Sequence, residues 1–383
     1  MTTVAVVGAG IVGAACAHAL AQAGADVVVL DRGPVGSGTT SRGEGNILVS
    51  DKGPGAELDL ARLSRDAWLD LGDDLGRDEI ELEEKGGVVV ATSGDGLETL
   101  RAFSHSQRAA GVTALDVDDA GSLEPHLTRD VTGGVLYPED MQVQPVLAAA
   151  AMLEAAQRMG ARFVPGADVV GGVVDRSGRL TGVRTSGGEV VGADAVVNAA
   201  GTWGGEVGER LGGPVPVLPR RGFILVTEPL PPMVRHKVYS ADYVANVGSS
   251  DVGLETSCVV EGTRAGTILI GASRERVGFD PTLDVDVVRI LARQATALFP
   301  FLAGVNLLRV YRGFRPYCPD HLPVIGPDPR VPGLFHACGH EGAGIGLAPG
   351  TARLITRQVL GAGDVDTARF VDLLPDRFVE QEA

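Results

Sequence analysis

Residues 3–31 of the chain read TVAVVGAGIVGAACAHALAQAGADVVVLD and contain its first complete structural unit. Residues 3–7 are apolar and rich in β-branched side chains, which favours a strand, and residues 11–23 have helical character. Residues 26–30 form a second short apolar run. A strand, a helix and another strand within about thirty residues predict a βαβ unit.

The turn between this strand and helix has the spacing GxGxxG, which is formed by Gly8, Ala9, Gly10, Ile11, Val12 and Gly13. In such a turn the first glycine permits a sharp bend, the second lets the backbone approach a pyrophosphate, and the third lets helix and strand pack closely. The helix N-terminus stabilises the phosphate charge. Asp31 ends the second strand, where an acidic residue accepts hydrogen bonds from a ribose hydroxyl. The motif predicts a dinucleotide, with an ordinary glycine-rich turn as the alternative, and does not decide between NAD and FAD.

The length of 383 residues predicts two domains, and a formal net charge of −16 argues against non-specific binding of nucleic acid. The N-terminus lacks a basic segment, and no uninterrupted apolar run approaches the roughly 20 residues that a membrane span requires. We therefore expect a soluble, cytoplasmic protein. The four cysteines have no CxxC spacing, which predicts free buried thiols.

Further strand and helix patterns predict two domains that alternate along the chain. Those of the first domain are helices at residues 57–75 and 144–159, strands at 161–165 and 193–198, and a meander at 169–191. Residues 220–274 are rich in strand signals and predict an antiparallel sheet, followed by a helix at residues 285–299. The last predicted helix runs from Pro349 to Leu360, because proline is favoured in the first turn of a helix.

Three segments carry a resemblance to a known family: residues 4–33 with SGTTSRGEGN at 37–46, ADAVVNAAGTWGG at 193–205, and RGFRPYCPDHLPVIGPDP at 312–329 with GLFHACGHEGAGIGLAP at 333–349. In this order they resemble the FAD-dependent amino-acid and amine oxidoreductases, which include glycine oxidase, sarcosine oxidase and D-amino-acid oxidase. The spelling HEGxGI is most similar to the glycine-oxidase branch, which also contains subunits of hydrogen-cyanide synthase and of proline or hydroxyproline dehydrogenase.

This resemblance implies an α/β fold in which a glutathione-reductase-like, FAD-binding Rossmann domain is interleaved with an α+β substrate domain built on an antiparallel sheet. We assign residues 1–85, 142–218 and 305–383 to the FAD-binding domain, and residues 86–141 and 219–304 to the substrate domain. The implied reaction is hydride transfer from the carbon next to an amine nitrogen, and the flavin supplies the chemistry.

The resemblance also implies which residues contact FAD. Gly8, Gly10 and Gly13 would hold the pyrophosphate with Ile11 and Val12, Asp31 and Arg32 would lie at the ribose, and Val169 would flank the adenine. The loop would contribute Thr39, Thr40, Ser41, Gly45 and Asn46, and the middle segment would contribute Ala200, Gly201 and Trp203. The C-terminal segment would contribute Gly313, Arg315, His340, Glu341, Gly342, Gly344 and Ile345. Alternatively, residues 39–41 form a plain polar loop, and Trp203 is a core aromatic.

Arg315 matches the arginine that pairs with the substrate carboxylate in glycine oxidase-like enzymes, since a guanidinium grips a carboxylate with two parallel hydrogen bonds. The alternative is an ion pair with Asp320, and Arg312 is a nearby competitor. The other predicted catalytic residues are Tyr243, Asn46 and Glu341, with Tyr239, Arg42 and Glu44 as further candidates. The two tyrosines also fit ordinary sheet packing. No general base is required, because a neutral amine can lose hydride directly.

Two departures from the family pattern bear on the substrate. Gly342 stands where the branch has a second arginine, and the tyrosine expected at the start of the strand at residues 258–261 is missing. These favour an N-substituted glycine or a cyclic imino acid over glycine. Gly313 stands where sarcosine oxidases carry the cysteine that attaches flavin, so we expect non-covalent FAD.

The partners expected are a small amine or amino-acid substrate, with a homo-oligomer or an electron-transfer subunit also possible. Electrons would pass to oxygen with release of peroxide or to a partner subunit, and a flavoprotein without turnover is a third hypothesis. His336, Cys338 and His340 alternate along a strand with Glu341 adjacent, which a metal site would also explain. The apolar strand leading into the flavin motif argues against the metal.

Overall fold

The computed structural model describes residues 1–242 and 250–379. Its first elements are strand β1 (Thr3–Val7), helix α1 (Ile11–Gln22) and strand β2 (Asp26–Asp31). The two strands are parallel, with Val4 opposite Val27 and Val7 opposite Leu30. The predicted βαβ unit is therefore confirmed.

These strands belong to a sheet of six, whose spatial order is β18 (Val324–Pro327), β19 (Leu334–Cys338), β12 (Ala195–Asn198), β1, β2 and β8 (Arg162–Pro165). All neighbours are parallel except β18 and β19. Successive side chains of a strand point to opposite faces, so Val4 and Val6 pack in the helical core while Ala5 and Val7 pack against the meander. Helices α1, α2 (Ala56–Leu75), α4 (Pro145–Arg158) and α7 (Gly344–Leu360) build the first layer, and β9 (Val169–Val174), β10 (Leu180–Thr185) and β11 (Val190–Gly192) build the second.

The second large sheet has eight strands, in the order β17 (Leu307–Tyr317), β13 (Leu218–Thr227), β16 (Ile268–Arg274), β15 (Glu255–Gly262), β14 (Lys237–Ser240), β4 (Gly87–Ala91), β6 (Gly133–Tyr137) and β5 (Leu115–Val117). Its pairs are antiparallel apart from β14 with β4. The remaining α-helices and strands of the described residues are α3 (Gly94–Ala109), α5 (Gly204–Leu211), α6 (Val285–Leu298), and a small ladder of β3 (Asn46–Ile47) with β7 (Met141–Gln142). The predicted fold class is confirmed: a Rossmann-like parallel sheet is combined with a largely antiparallel one.

The predicted start of the last helix is wrong. Helix α7 begins at Gly344, so Pro349 lies inside it. Proline lacks the N–H that would bond to the carbonyl of Ile345. Two side chains of α2 compensate, since Trp68 Nε1 donates to Ile345 O at 3.2 Å, and Ser64 Oγ bonds both the carbonyl of Gly346 and the N–H of Gly350.

The domain boundaries stay a prediction. Strand β17 pairs along its length with β13 in the eight-stranded sheet, although the prediction put residues 305–383 in the FAD-binding domain. None of the helices in the described ranges combines the length and apolar character needed to cross a membrane. All four cysteines are free and buried.

Candidate active site

A cavity of about 520 Å³ lies between the carboxyl ends of β1 and β12, strands β13 and β17, and the start of α7. Most residues predicted to hold the cofactor line it together: Gly8, Gly10, Ile11, Val12, Asp31, Arg32, Thr39, Thr40, Asn46, Val169, Ala200, Gly201, Trp203, Gly313, Arg315, His340, Glu341, Gly342, Gly344 and Ile345. In open α/β sheets, ligands bind in the crevice at the carboxyl ends of the strands, which is where this cavity lies.

The glycine turn presses against the neighbouring strand end. Gly8 has φ of +112°, and a Cβ added there would lie 2.4 Å from the carbonyl oxygen of Ala199. A Cβ on Gly13 would lie 1.9 Å from the carbonyl oxygen of Gly8, so Gly13 serves the helix–strand contact and stays outside the cavity lining. The Ile11 N–H donates to Thr40 Oγ1 at 2.9 Å, which joins the turn to the loop after β2.

The Asp31 carboxylate faces the turn and lines the cavity. Its two oxygens accept hydrogen bonds from the N–H groups of Ala9 at 2.7 Å and Gly33 at 2.8 Å. A carboxylate has about four lone-pair sites. Asp31 is therefore held in place while keeping acceptor capacity toward the cavity.

Two loop residues of the predicted set lie outside the cavity lining. Ser41 Oγ donates to the carbonyls of Ser37 and Gly38, which closes the short 3₁₀ turn on itself. Gly45 donates its N–H to the carboxylate of Glu261, and a Cβ there would lie 1.9 Å from the carbonyl oxygen of Val143. Both residues shape the loop and neither faces the cavity.

Trp203 is half-buried and belongs to a stack at the cavity wall. The guanidinium carbon of Arg32 lies 4.1 Å from the Trp203 ring centroid. The Trp203 ring also stacks on the Phe279 ring, with the two centroids 5.5 Å apart and an interplanar angle of 4°. The alternative of a core aromatic is thus not what the structure contains.

Strands β17, β13 and β16 lie side by side and carry Gly313, Gly222 and Gly271, which we call the glycine surface. A Cβ added to each would meet a charged residue: Arg42 Cβ at 2.6 Å, Arg315 Nη1 at 2.1 Å and Glu44 Oε1 at 2.8 Å, respectively. The absence of a side chain at each of these three glycines makes room for charged groups over the sheet.

Arg315 lies over this surface and lines the cavity. Its Nη1 donates to the carbonyl of Ser273 at 2.7 Å, whereas Asp320 pairs with Arg377 at 2.6 Å. The alternative ion pair of Arg315 with Asp320 is therefore wrong. Arg312 is not among the lining residues, and Gly342 borders Arg315, since a Cβ there would lie 3.5 Å from Arg315 Nε.

Glu341 lines the cavity with a strained backbone, at φ of +45°. Its carboxylate lies 2.9 Å from His321 Nδ1 and 3.8 Å from Nη1 of the buried Arg220, which also pairs with Glu255 at 2.8 Å. The side chain is thus engaged in an ion-pair network at the edge of the cavity.

Histidines at the C-terminal segment have separate partners. His340 lines the cavity, its Nε2 lies 3.0 Å from Thr351 Oγ1, and burial lowers its pKa to about 3, so it is neutral. His336 lies 3.1 Å from Asp328 Oδ2 on its Nε2 side and near Asn198 on the other. No cluster of three or more metal-binding side chains occurs in residues 1–242 and 250–379.

The predicted tyrosines do not contribute to the described lining. Tyr239 is fully buried with its hydroxyl against Ser50, as ordinary packing predicts. Tyr243 lies outside the described residues. Near the cavity the structure instead contains a buried cluster of three charged side chains, Glu44, Lys237 and Glu261. Among them only Glu44 was named as a candidate from the sequence. Charged residues inside the apolar runs KVYS and CVVEG were the available signal.

The sequence profile of the family described as FAD-dependent oxidoreductase (DAO) matches residues 3–358. The chain belongs to this family. The prediction of a flavin enzyme is thereby confirmed.

Three relatives of this FAD-dependent oxidoreductase illustrate the match. Glycine oxidase of Pseudomonas putida is 30% identical, with 94% of each chain covered. Hydrogen cyanide synthase subunit HcnC of Pseudomonas aeruginosa is 34% identical over 66% of this chain, and that match spans only 57% of the relative's length. The crystal structure of glycine oxidase from Geobacillus kaustophilus superposes with a TM-score of 0.85 at 28% identity, covering 97% of this chain and 98% of the other.

The residues present suit FAD. The turn at Gly8 packs on the carbonyl of Ala199 too closely for a Cβ, and its backbone lines the cavity together with Asp31 and the first residues of both α1 and α7. Helix N-termini present N–H groups without intrahelical acceptors and a positive dipole end, which suit phosphate and electron-rich groups. None of the four cysteines is among the lining residues, and non-covalent attachment stays a prediction.

Proposed function

We propose that the protein oxidises the C–N bond of a small amino acid or secondary amine, such as an N-substituted glycine, to an imine, with oxygen as the electron acceptor and hydrogen peroxide as product. The observation that carries the proposal is Arg315, a cation in the cavity wall over the glycine surface. Support also comes from glycine oxidase relatives that match over 94% of the chain.

FAD, when bound, supplies the hydride-accepting chemistry. The glycine turn and the α1 N-terminus would hold its pyrophosphate, and Asp31 its ribose. Helix α7 begins at Gly344, five residues before the predicted start at Pro349, so the positive end of its dipole lies directly at the cavity. A dipole in this place favours an electron-rich group beside it.

Arg315 would bind the substrate carboxylate through two parallel hydrogen bonds. The bond from its Nη1 to Ser273 O helps to orient the guanidinium, which lies in the cavity wall. Because this geometry holds one end of the substrate, it orients the α-carbon in the cavity.

Gly342 bears on the substrate. It borders Arg315 and carries no side chain where the glycine-oxidase branch is expected to have a second arginine. The space left there suits a substituent on the amine or a ring. We therefore favour secondary amines over glycine itself.

The test is anaerobic mixing of the purified yellow holoenzyme with a panel of amines: glycine, sarcosine, N-ethylglycine, and both enantiomers of proline. We expect bleaching of the flavin absorbance by at least one N-substituted or cyclic member, and peroxide release once air is admitted. An oxidised spectrum throughout the panel would overturn the proposal and favour a flavoprotein without turnover.

An alternative is a dehydrogenase subunit that passes electrons to a partner, and the 34% identity to a hydrogen cyanide synthase subunit favours it. The same experiment separates the two, because a dehydrogenase bleaches anaerobically and reduces an artificial dye. It releases little peroxide in air.

A further inference from the structure

Beside the cavity lies a buried cluster of three charged residues that the mechanism above does not use. Glu44, Lys237 and Glu261 have 7%, 1% and 1% of their surfaces exposed. Lys237 Nζ contacts Glu261 Oε2 directly and lies 3.9 Å from Glu44 Oε2. Two carboxylates thus share one ammonium group at a largely buried place. With both acids ionised the cluster carries one net negative charge.

The carboxylates of Glu261 and Glu44 differ in their hydrogen-bond donors. Glu261 accepts the Gly45 N–H at 3.2 Å and the lysine bond. Glu44 Oε2 accepts from Asn46 Nδ2 at 3.3 Å, but no described residue bonds to Glu44 Oε1, although that oxygen is buried. A buried carboxylate oxygen without a donor is costly, so a missing donor is expected at this atom. Of the three residues only Glu44 lines the cavity.

The missing donor would come from a ligand that Arg315 also holds. Glu44 Oε1 lies against Gly271 on β16, and the Arg315 guanidinium lies against Gly222 on the adjacent β13. The register, with Leu225 opposite Ile270, makes Gly222 and Gly271 diagonal neighbours, whose backbone positions are roughly 7 to 8 Å apart. A zwitterionic amino acid bound between them can direct its carboxylate to Arg315 and its ammonium to Glu44.

We propose that Glu44 Oε1 binds the substrate ammonium and accepts its proton, so that the amine is neutral before the α-carbon is oxidised. One N–H bond of the ammonium breaks, its electron pair stays on nitrogen, and the proton forms an O–H bond on Glu44. The cluster changes from net charge −1 to zero, and the substrate changes from a zwitterion to a carboxylate held by Arg315. This inference rests on the proposed function, and it explains how the neutral amine arises within the site.

The surroundings of Glu44 favour proton uptake. Burial raises the pKa of its carboxyl and Glu261 raises it further, while Lys237, Arg315 and the Asn46 hydrogen bond lower it. Cys258 and Tyr311 also face it, and burial raises the pKa of each, so both stay neutral. A proton acceptor works best when its pKa approaches the working pH.

The test compares wild type with Glu44→Gln, which keeps size and hydrogen bonding but cannot take up a proton. The rate of anaerobic flavin bleaching by a substrate amine is measured from pH 7 to pH 10. We expect the variant to be slower by on the order of 100-fold at pH 7, with most of the deficit gone at pH 10, where a large fraction of the amine is already neutral in solution. Glu44→Asp, which keeps the carboxylate, should restore part of the rate at pH 7.

A second measurement guards against general damage. FAD content and the dissociation constant of acetate, read from the flavin spectrum, should change less than twofold in Glu44→Gln, since acetate has no amine. A deficit that is equal at every pH, or the absence of one, would overturn the role of Glu44 while leaving the proposed function intact. Failure of the wild type to bleach with any amine would overturn both.

Discussion

The two ends of the cavity are built by different means. The end at β1 and β12 is made of the backbone of the glycine turn and the carboxylate of Asp31, both supplied by one run of about thirty residues. The end at the eight-stranded sheet is made of charged side chains, with Glu44 and Arg315 brought together from segments far apart in sequence. A change at the first end should therefore act through shape and cofactor retention, and one at the second through charge and substrate.

The largest effect is expected from Gly8→Ala. Its Cβ would fall 2.4 Å from Ala199 O at a φ of +112°, so strain and overlap should cost roughly 3 kcal/mol or more of unfolding free energy. We expect the purified variant to lose most of its FAD, measured as the ratio of flavin to protein absorbance, and to melt at a lower temperature.

Gly24→Ala is the matched control, because Gly24 also has a positive φ, of +87°, but nothing lies within 4 Å of the added Cβ. It should cost roughly 1 to 2 kcal/mol of unfolding free energy and keep its FAD. Equal FAD content in the two variants would mean that FAD binding does not depend on the close contact between Gly8 and Ala199.

Arg315→Ala should leave FAD in place and weaken carboxylate substrates by roughly 2 to 5 kcal/mol, the range for truncating one partner of a buried charge pair. The measurement is kcat/KM, or the dissociation constant of a carboxylate ligand. Arg312→Ala, three residues earlier on β17 and outside the lining, is the control and should have little effect. A larger loss of kcat/KM in Arg312→Ala than in Arg315→Ala would mean that Arg312, and not Arg315, binds the substrate carboxylate.

Asp140 lies in the connection between β6 and β7, where its carboxylate accepts the Val49 N–H at 2.8 Å and contacts Ser50. Burial raises its pKa to about 7. Because the folded-state pKa lies above the unfolded value of about 3.9, its contribution is fully present below pH 4 and is lost as pH rises through 7. Urea unfolding at pH 5.5 and 8.5 should show this loss, with a slope of at most about 1.4 kcal/mol per pH unit.

Asp140→Asn removes the titrating proton and keeps the acceptor for Val49. The variant should lose that part of the pH dependence, while Glu154→Gln on the exposed surface of α4 should keep it. A pH profile of Asp140→Asn identical to that of wild type would remove Asp140 as the cause.

The smallest effect is expected from Trp203→Ala. Its stack on Arg32 and Phe279 should contribute roughly 0.5 to 1.5 kcal/mol, so the FAD dissociation constant of the apoprotein should rise about 2- to 10-fold. Trp203→Phe keeps a ring in the stack and should lose less. Complete loss of FAD would instead mean that Trp203 is needed for the folded structure of the cavity wall.

The same contrast explains what sequence could predict. The turn at Gly8, the acidic Asp31 and the strand pattern are local, since spacing along the chain fixes them, and the structure matches them. The partnership of Glu44 with Lys237 and Glu261 depends on the register of distant strands, which no spacing encodes. The start of α7 was mispredicted because proline looked like a first residue, whereas α2 supplies donors that let it stay inside.

The order of strands in the six-stranded sheet also has a consequence for synthesis. β12 lies between β1 at residue 3 and β19 at residue 334, and α7 follows directly after β19. A chain still on the ribosome has its glycine turn long before residues 324–338 are made, and until then it lacks one flank of that sheet. Cofactor uptake should therefore be a late event, and its timing would report when the last strand and helix have joined the first.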